Sequence, residues 1–216
     1  MRLGVLASGS GSNLQAILDG CANGSIPAQV AVVICNVPGA KALQRAEAAR
    51  VPTVLLDHKQ FGSRDDYDRA VVAELRRHRV ELVCLAGFMR LIGPVLLTEF
   101  QNKILNIHPS LLPAFPGLHA VRQALAARVR VSGCTVHVVD QGTDSGPILI
   151  QAAVPVLDGD TEETLAARIL RQEHRCYPRA IALWAEGRVQ LDGRSVRIVG
   201  AAGDPARAIA SPELLD

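Results

Sequence analysis

"RLGVLASGSGSNLQAILDG" (residues 2–20), followed by "QVAVVICN" (residues 29–36), decides the fold class. The run "RLGVLA" is apolar almost throughout and stops at a glycine turn. A strand covered on both faces reads this way, whereas a half-exposed strand alternates with polar residues. Helical spacing takes over in "NLQAILDG", with Gly20 near its end, and a second apolar strand comes after it. Strand, turn, helix and strand at this spacing form a βαβ unit with a right-handed crossover and a parallel sheet.

The alternation continues outward. "GAKALQRAEAARV" (39–51) is helical and ends before Pro52, and "PTVLLD" (52–57) is a strand. "SRDDYDRAVVAELRRHRV" (63–80) is a helix with Ser63 as N-cap and acids in its first turn, where the helix dipole favours them. "ELVCLAG" (81–87) and "KILNIH" (103–108) are further strands. After Gly117 the pattern changes. A helix "LHAVRQALAARV" (118–129) precedes strands "GCTVHVVD" (133–140) and "GPILIQAAVPV" (146–156), joined by "QGTDS" as an antiparallel edge. A long helix spans 161–187, opened by Thr161 and Glu162-Glu163, with a kink expected at Tyr177-Pro178. The remainder reads as a small hairpin and a loose tail. No repeat, linker or low-complexity segment appears, so one domain is expected. Its class is α/β: an open, mostly parallel twisted sheet with helices on both faces and an antiparallel edge.

Composition narrows the function. At 216 residues, 49% hydrophobic and 20% charged, the chain suits one sizeable globular core. A net charge of +2, no basic stripe and only four Phe, one Trp and two Tyr argue against nucleic acid as a partner. The N-terminal apolar run is too short for a signal peptide, and no apolar stretch is long enough for a membrane span. Cys21, Cys35, Cys84, Cys134 and Cys176 are odd in number and show no C-x-x-C spacing. They read as small buried hydrophobes in a reducing cytoplasm, with no metal site.

Three places could carry chemistry. In "LASGSGSNLQ" (6–15), a strand ends and Gly9 to Asn13 lead into a helix whose free N–H groups suit an anion. No Gly-Lys-Ser/Thr comes next, so it is not a Walker loop. Leu14 stands where a dinucleotide fingerprint needs its third glycine, and Asn36 where it needs an acid. A small phosphate ester fits better, although a plain tight turn capped by Ser12 or Asn13 would look similar. In "NIHPSLLPAFPG" (106–117), Asn106 and His108 share one face of a strand end, and Pro109, Pro113 and Pro116 stiffen the adjoining connection. A lone histidine would more often be a core residue; the Asn-x-His pair beside three prolines favours function. In "VHVVDQGTDSGPI" (136–148), Asp140 and Asp144 occupy a loop flanked by glycines, either as a solvated turn or as a carboxylate delivered to His108.

Together these groups suit acyl transfer. Ser110 lacks the strained elbow of a serine nucleophile. Attack by a substrate amine on a carbonyl is more economical, with Asn106 and protonated His108 donating to the oxyanion, each donor lowering the barrier by ~3 kcal/mol. Protons pass through His108 or water.

The stretches "SGSGSNLQ", "AGFMRLIGP", "LNIHPSLLPAFPG", "HVVDQGTDSGPIL" and "EHRCYP" occur in this order. From Leu3 to about Gly187, the chain resembles the phosphoribosylglycinamide formyltransferases of purine biosynthesis. The resemblance implies a Rossmann-like formyltransferase fold over residues 1–187, with an N-terminal phosphate-binding half and a C-terminal folate-binding half, and a hairpin and tail over 188–216. It implies 10-formyltetrahydrofolate as formyl donor, 5-phosphoribosylglycinamide as acceptor, small-molecule partners only, and a cytoplasmic monomer or homodimer. Asn106, His108 and Asp144 match the catalytic trio. Gly11, Ser12 and Asn13 match the phosphate turn, and Glu173 an acceptor contact. Met89, Arg90, Leu91 and Ile92, with Asp140, Gln141, Gly142, Thr143 and Asp144, match the pterin walls; Arg64 matches a contact to the folate tail. Leu112–Pro113 is implied to be cis. Without the resemblance, Met89 would pass for core and Glu173 for a surface charge. His119 and His137 receive no role. Related methionyl-tRNA formyltransferases and formyltetrahydrofolate hydrolases carry an extra C-terminal or N-terminal domain, and neither addition is expected here. A non-catalytic binder would be expected to have lost one of the trio.

Overall fold

The computed structural model describes residues 1–200, and the tail beyond Gly200 lies outside them. Five parallel strands form the centre: β1 (Arg2–Ala7), β2 (Gln29–Cys35), β3 (Thr53–Leu55), β4 (Leu82–Leu85) and β5 (Ile104–His108). Antiparallel β6 (Val131–Val138) and β7 (Ile148–Pro155) complete a seven-stranded sheet in the order β3-β2-β1-β4-β5-β6-β7. The helices are α1 (Ser12–Ala22), α2 (Lys41–Ala48), α3 (Arg64–Arg77), α4 (Pro94–Glu99), α5 (Ala120–Ala126) and α6 (Glu162–Ala185). A separate hairpin, β8 (Val189–Asp192) and β9 (Ser195–Ile198), comes last, with β9 against β7.

Both faces of the sheet are covered, as the continuous apolar strands require. Leu3, Val5 and Ala7 of β1 pack with residues of α1, α2, α5 and α6, among them Ile17, Ala46, Val121 and Tyr177. Leu6 points the other way and joins Tyr67, Val71 and Leu75 of α3 and Leu96 of α4. Gly4 shares that second face, where an added Cβ would lie 2.5 Å from Leu75 Cδ2, so glycine lets α3 sit close to β1. Tyr177 is fully buried, and its hydroxyl lies 3.0 Å from the Leu85 carbonyl and 2.9 Å from that of Leu105. It thereby pins α6 to the two strands that lead into the site.

Helix α6 runs through Pro178 to Ala185 as the single long helix expected from the sequence. Proline deprives the His174 carbonyl of its usual helical donor, a cost of ~3 kcal/mol. The burial of Tyr177, Ala180, Ile181 and Leu183 on either side offsets it. Helix α4 has no counterpart in the sequence reading, because six residues are too few to show a helical period; Pro94 opens it at the position where a missing N–H costs nothing. Among the described residues, no helix is long and apolar enough to cross a membrane, and no cluster of His, Cys, Asp or Glu could hold a metal.

Candidate active site

The site grows from the end of β5. Ile104 faces the α3–α4 side while Leu105 and Ile107 face the other, so Asn106 and His108 share the α3–α4 face. The chain then turns through a cis Leu112–Pro113 bond, as the family likeness implies. Thr135 on β6 fixes this turn: its hydroxyl donates to the Ser110 carbonyl at 2.7 Å and accepts from the Leu112 N–H at 3.0 Å. The Ser110 hydroxyl is buried and donates to the Ala114 carbonyl at 2.6 Å, which removes it as a nucleophile. The turn also brings the Phe115 carbonyl to 2.9 Å from His108 Nε2.

Asp144 arrives from the loop between β6 and β7. The loop closes tightly: the Val138 N–H donates to the Pro147 carbonyl at 2.8 Å, and a Cβ on Gly146 would run into the Val138 carbonyl. Asp144 itself takes a left-handed backbone conformation, with φ 51°. Its Oδ2 accepts from the Gly117 N–H at 2.8 Å and lies 3.4 Å from His108 Nδ1. Its Oδ1 lies 3.5 Å from both His137 Nε2 and Asn106 Nδ2. Burial pushes the carboxyl up. The bonds from His137 and Gly117 and the charges of the two imidazoles outweigh it, so the group is held below its ordinary value and stays ionised. Both ring nitrogens of His108 face oxygens, Nε2 the Phe115 carbonyl and Nδ1 the Asp144 carboxylate.

His137 belongs to this cluster although the sequence reading gives it no role. It lies directly opposite Asn106 in the β5–β6 ladder, and its Nε2 is 3.2 Å from Asn106 Nδ2. The signal is present: Thr135 and His137 alternate with buried Cys134, Val136 and Val138, which marks a polar face of β6. Only the antiparallel pairing puts that face beside Asn106. His119, by contrast, is exposed at the start of α5.

The proposed folate wall stands beside the cluster. Met89 and Leu91 in the β4–α4 loop are 69% and 65% exposed, unusual for such large apolar side chains. Between them Arg90 stacks over the Tyr67 ring at 5.1 Å, and Ile92 packs on the α3–α4 side core. The Met89 N–H donates to the Ser8 hydroxyl at 2.8 Å, which ties the wall to the end of β1. Arg64 opens α3 next to Gly93, so it borders the same wall. Asp140, Gln141, Gly142 and Thr143 form the first part of the loop that delivers Asp144.

The turn expected to bind phosphate sits just after β1. Gly11 adopts φ 68° at the start of α1, and no side chain caps that helix. The first-turn N–H groups are thus available to an anion. A Cβ on Gly11 would lie 2.7 Å from Ala42 Cα, so the turn is seated on the start of α2. Asn13 Nδ2 donates to Glu173 Oε2 at 2.8 Å across 160 residues of sequence, and both side chains are buried. Burial pushes the Glu173 carboxyl above its ordinary value, and the Asn13 bond offsets part of that rise. Gly11, Ser12, Asn13 and Glu173 are thus brought together.

Residues 1–181 match the protein family described as "Formyl transferase". The chain is 46% identical over 180 residues to the phosphoribosylglycinamide formyltransferase of Bacillus subtilis, covering 83% of this chain and 92% of that protein. It is 42% identical over 211 residues to the enzyme of the same name from Escherichia coli, covering 94% and 100%. The crystal structure of glycinamide ribonucleotide transformylase 1 from Symbiobacterium toebii superposes with a TM-score of 0.91 at 58% identity, covering 92% of this chain and 93% of that one. The trifunctional purine biosynthetic protein adenosine-3 of Drosophila melanogaster is 48% identical over 188 residues, but the chain spans only 14% of its length.

Proposed function

The chain belongs to the formyl transferase family, and from that premise we propose that it transfers the formyl group of 10-formyltetrahydrofolate to the glycinamide amine of 5-phosphoribosylglycinamide, a step of purine biosynthesis. The observation that carries this reading is the gathering of Asn106, His108 and Asp144 at the end of β5, at the same end of the sheet as the uncapped helix start that follows β1. The amine nitrogen attacks the formyl carbon, and the carbonyl π pair moves to oxygen. Asn106 and protonated His108 donate to that oxyanion. As the intermediate collapses, His108 gives its proton to the departing N10 of the folate, and the neutral ring, directly or through water, takes the proton that the attacking nitrogen loses.

Asp144, 3.4 Å from Nδ1, fixes the plane of the His108 ring. Because His108 Nε2 is already committed to the Phe115 carbonyl, the oxyanion takes over one of the two N–H bonds of the ring as it forms. That exchange favours the transition state over the neutral formyl group, which is a weaker acceptor. Met89, Leu91 and Ile92 contact the pterin, with Arg90 and the Asp140–Asp144 loop beside it, and Arg64 meets the anionic folate tail. The N–H groups of Gly11, Ser12 and Asn13 hold the phosphate, and Glu173 receives the ribose or amine. The partners are small molecules in a monomer or homodimer, and no metal enters the mechanism. The five cysteines are free thiols, as a cytoplasmic, reducing compartment would keep them.

An acceptor series tests this reading. Formyl transfer is measured with the phosphorylated glycinamide riboside, with the same compound lacking phosphate, and with no acceptor. Loss of the phosphate should raise the acceptor KM by roughly ten-fold or more, since it removes charge-assisted contacts at a helix start. Equal folate deformylation with and without acceptor would make the protein a hydrolase instead.

A further inference from the structure

The β8–β9 hairpin lies beyond the family match, which ends at residue 181, and nothing in its sequence suggests a role. Its tip nevertheless touches the loop that carries Asp144. Gly193, with φ 57°, lets the hairpin turn tightly, and Arg194 projects from the turn. The Arg194 Nη2 group donates to the Ser145 carbonyl, and Nη1 lies 3.8 Å from Asp140 Oδ2.

Asp140 is the hub of that loop. Its Oδ1 accepts from the Gly142 N–H at 3.0 Å and from the Ser145 hydroxyl at 2.7 Å. A Cβ on Gly142 would run into the Ser145 hydroxyl, so the closure depends on glycine there. One oxygen of Asp140 thus draws the two ends of the loop together, while the other faces Arg194. Asp144, next to Ser145, takes a left-handed conformation within this closed loop, so its aim at His108 is set by the loop around it.

We propose that Arg194 is a positioning residue: from outside the family domain it clamps both ends of the Asp140–Ser145 loop and so holds Asp144 and the folate wall in register. This rests on the formyl-transfer reading above for its kinetic consequence, but not for its structural one. Arg194 is 76% exposed, so its pairing with Asp140 contributes little on its own and is screened by salt. The bond to the Ser145 carbonyl is the larger part of the clamp.

The test uses the full-length protein and its Arg194→Ala and Arg194→Lys variants, with two readouts. Hydrogen exchange over residues 141–146 reads the loop directly. Steady-state kinetics read the donor and acceptor KM separately. Arg194→Ala should speed exchange in the loop and raise the formyl-donor KM by about three- to ten-fold, with the acceptor KM within about two-fold. Arg194→Lys keeps the charge but cannot reach both oxygens in a planar fork, so it should fall between wild type and alanine. If alanine also frees the hairpin amides at 189–198, the lysine variant decides: intermediate exchange at 141–146 supports the clamp, and wild-type exchange overturns it. Unchanged exchange and unchanged donor KM in Arg194→Ala would also overturn it. Should the wild type fail to transfer formyl at all, the exchange arm still decides the clamp, while the functional reading falls separately.

Discussion

Replacing Asp144 by Asn keeps the shape of the side chain and removes its charge. The carboxylate lies 3.4 Å from His108 Nδ1. At an effective dielectric of about 20, a unit charge pair at that separation attracts by ~5 kcal/mol. Part of this is offset by the cost of burying the carboxylate, which the asparagine does not incur. The amide oxygen can also keep the Gly117 N–H bond, so the loop should stay folded. A net loss of ~3 kcal/mol in transition-state stabilisation is then reasonable, which is roughly a hundred-fold in kcat. The assay is kcat for formyl transfer at saturating substrates, with thermal unfolding of each variant as the folding check. His108→Ala and the double variant complete a cycle. Because the carboxylate acts through the imidazole, the double variant should be little slower than the slower single one. If the two losses simply multiply, or if Asp144→Asn changes kcat less than about three-fold, Asp144 does not act through His108.

Gly11→Val should raise the acceptor KM far more than the donor KM, and should lower stability by roughly 1–2 kcal/mol, because a left-handed backbone disfavours Val. Its Cβ would also press on the Ala42 backbone at 2.7 Å and shift the turn; equal KM changes for both substrates would make the turn merely structural. Glu173→Gln should reveal the burial of a carboxylate. The folded-state pKa of Glu173 is raised, so its favourable contribution is complete below the ordinary carboxylate range and is lost as pH rises through the folded value. The glutamine variant should therefore gain on wild type in Tm as pH rises from about 4 to 8 while binding the acceptor less tightly, and parallel Tm curves would refute this. Asp144 has the opposite sign. Its lowered pKa stabilises the fold above the ordinary carboxylate range, and that contribution fades as pH falls through the folded value, so wild type and Asp144→Asn should converge in stability in acid. Tyr177→Phe leaves two strand carbonyls without their buried donor and should cost ~1–3 kcal/mol in urea unfolding; a loss near zero would mean that the hydroxyl does not tie α6 to the sheet.

Much of this architecture is legible in the sequence, for a physical reason. Strands buried on both faces must be apolar throughout, so β1, β2 and β4 stand out without any partner being known. The two-residue strand period likewise places Asn106 and His108 on one face before any fold is built. What stays hidden depends on tertiary contact. His137 joins the site through the register of β5 against β6, which no local pattern fixes. Glu173 resembles any charged helix residue until α6 is laid against Asn13. The Asp140–Ser145 loop reads as an ordinary turn, because its closure depends on backbone approaches at Gly142 and Gly146 and on Arg194 from a distant hairpin. The motif likeness supplies Met89 and Glu173, which composition and spacing alone pass over.

A rapid-quench experiment with a formyl-labelled folate donor decides whether the formyl group passes straight to the amine. Excess enzyme, labelled donor and glycinamide ribonucleotide are mixed, quenched in acid, and separated into protein, folate, acceptor and free formate. Label should leave the donor only when acceptor is present and appear on the acceptor one for one, with none on protein or in formate. Label held by the protein before it reaches the acceptor would mean a covalent formyl-enzyme, and label released as formate without acceptor would mean hydrolysis. Either result would rule out direct transfer.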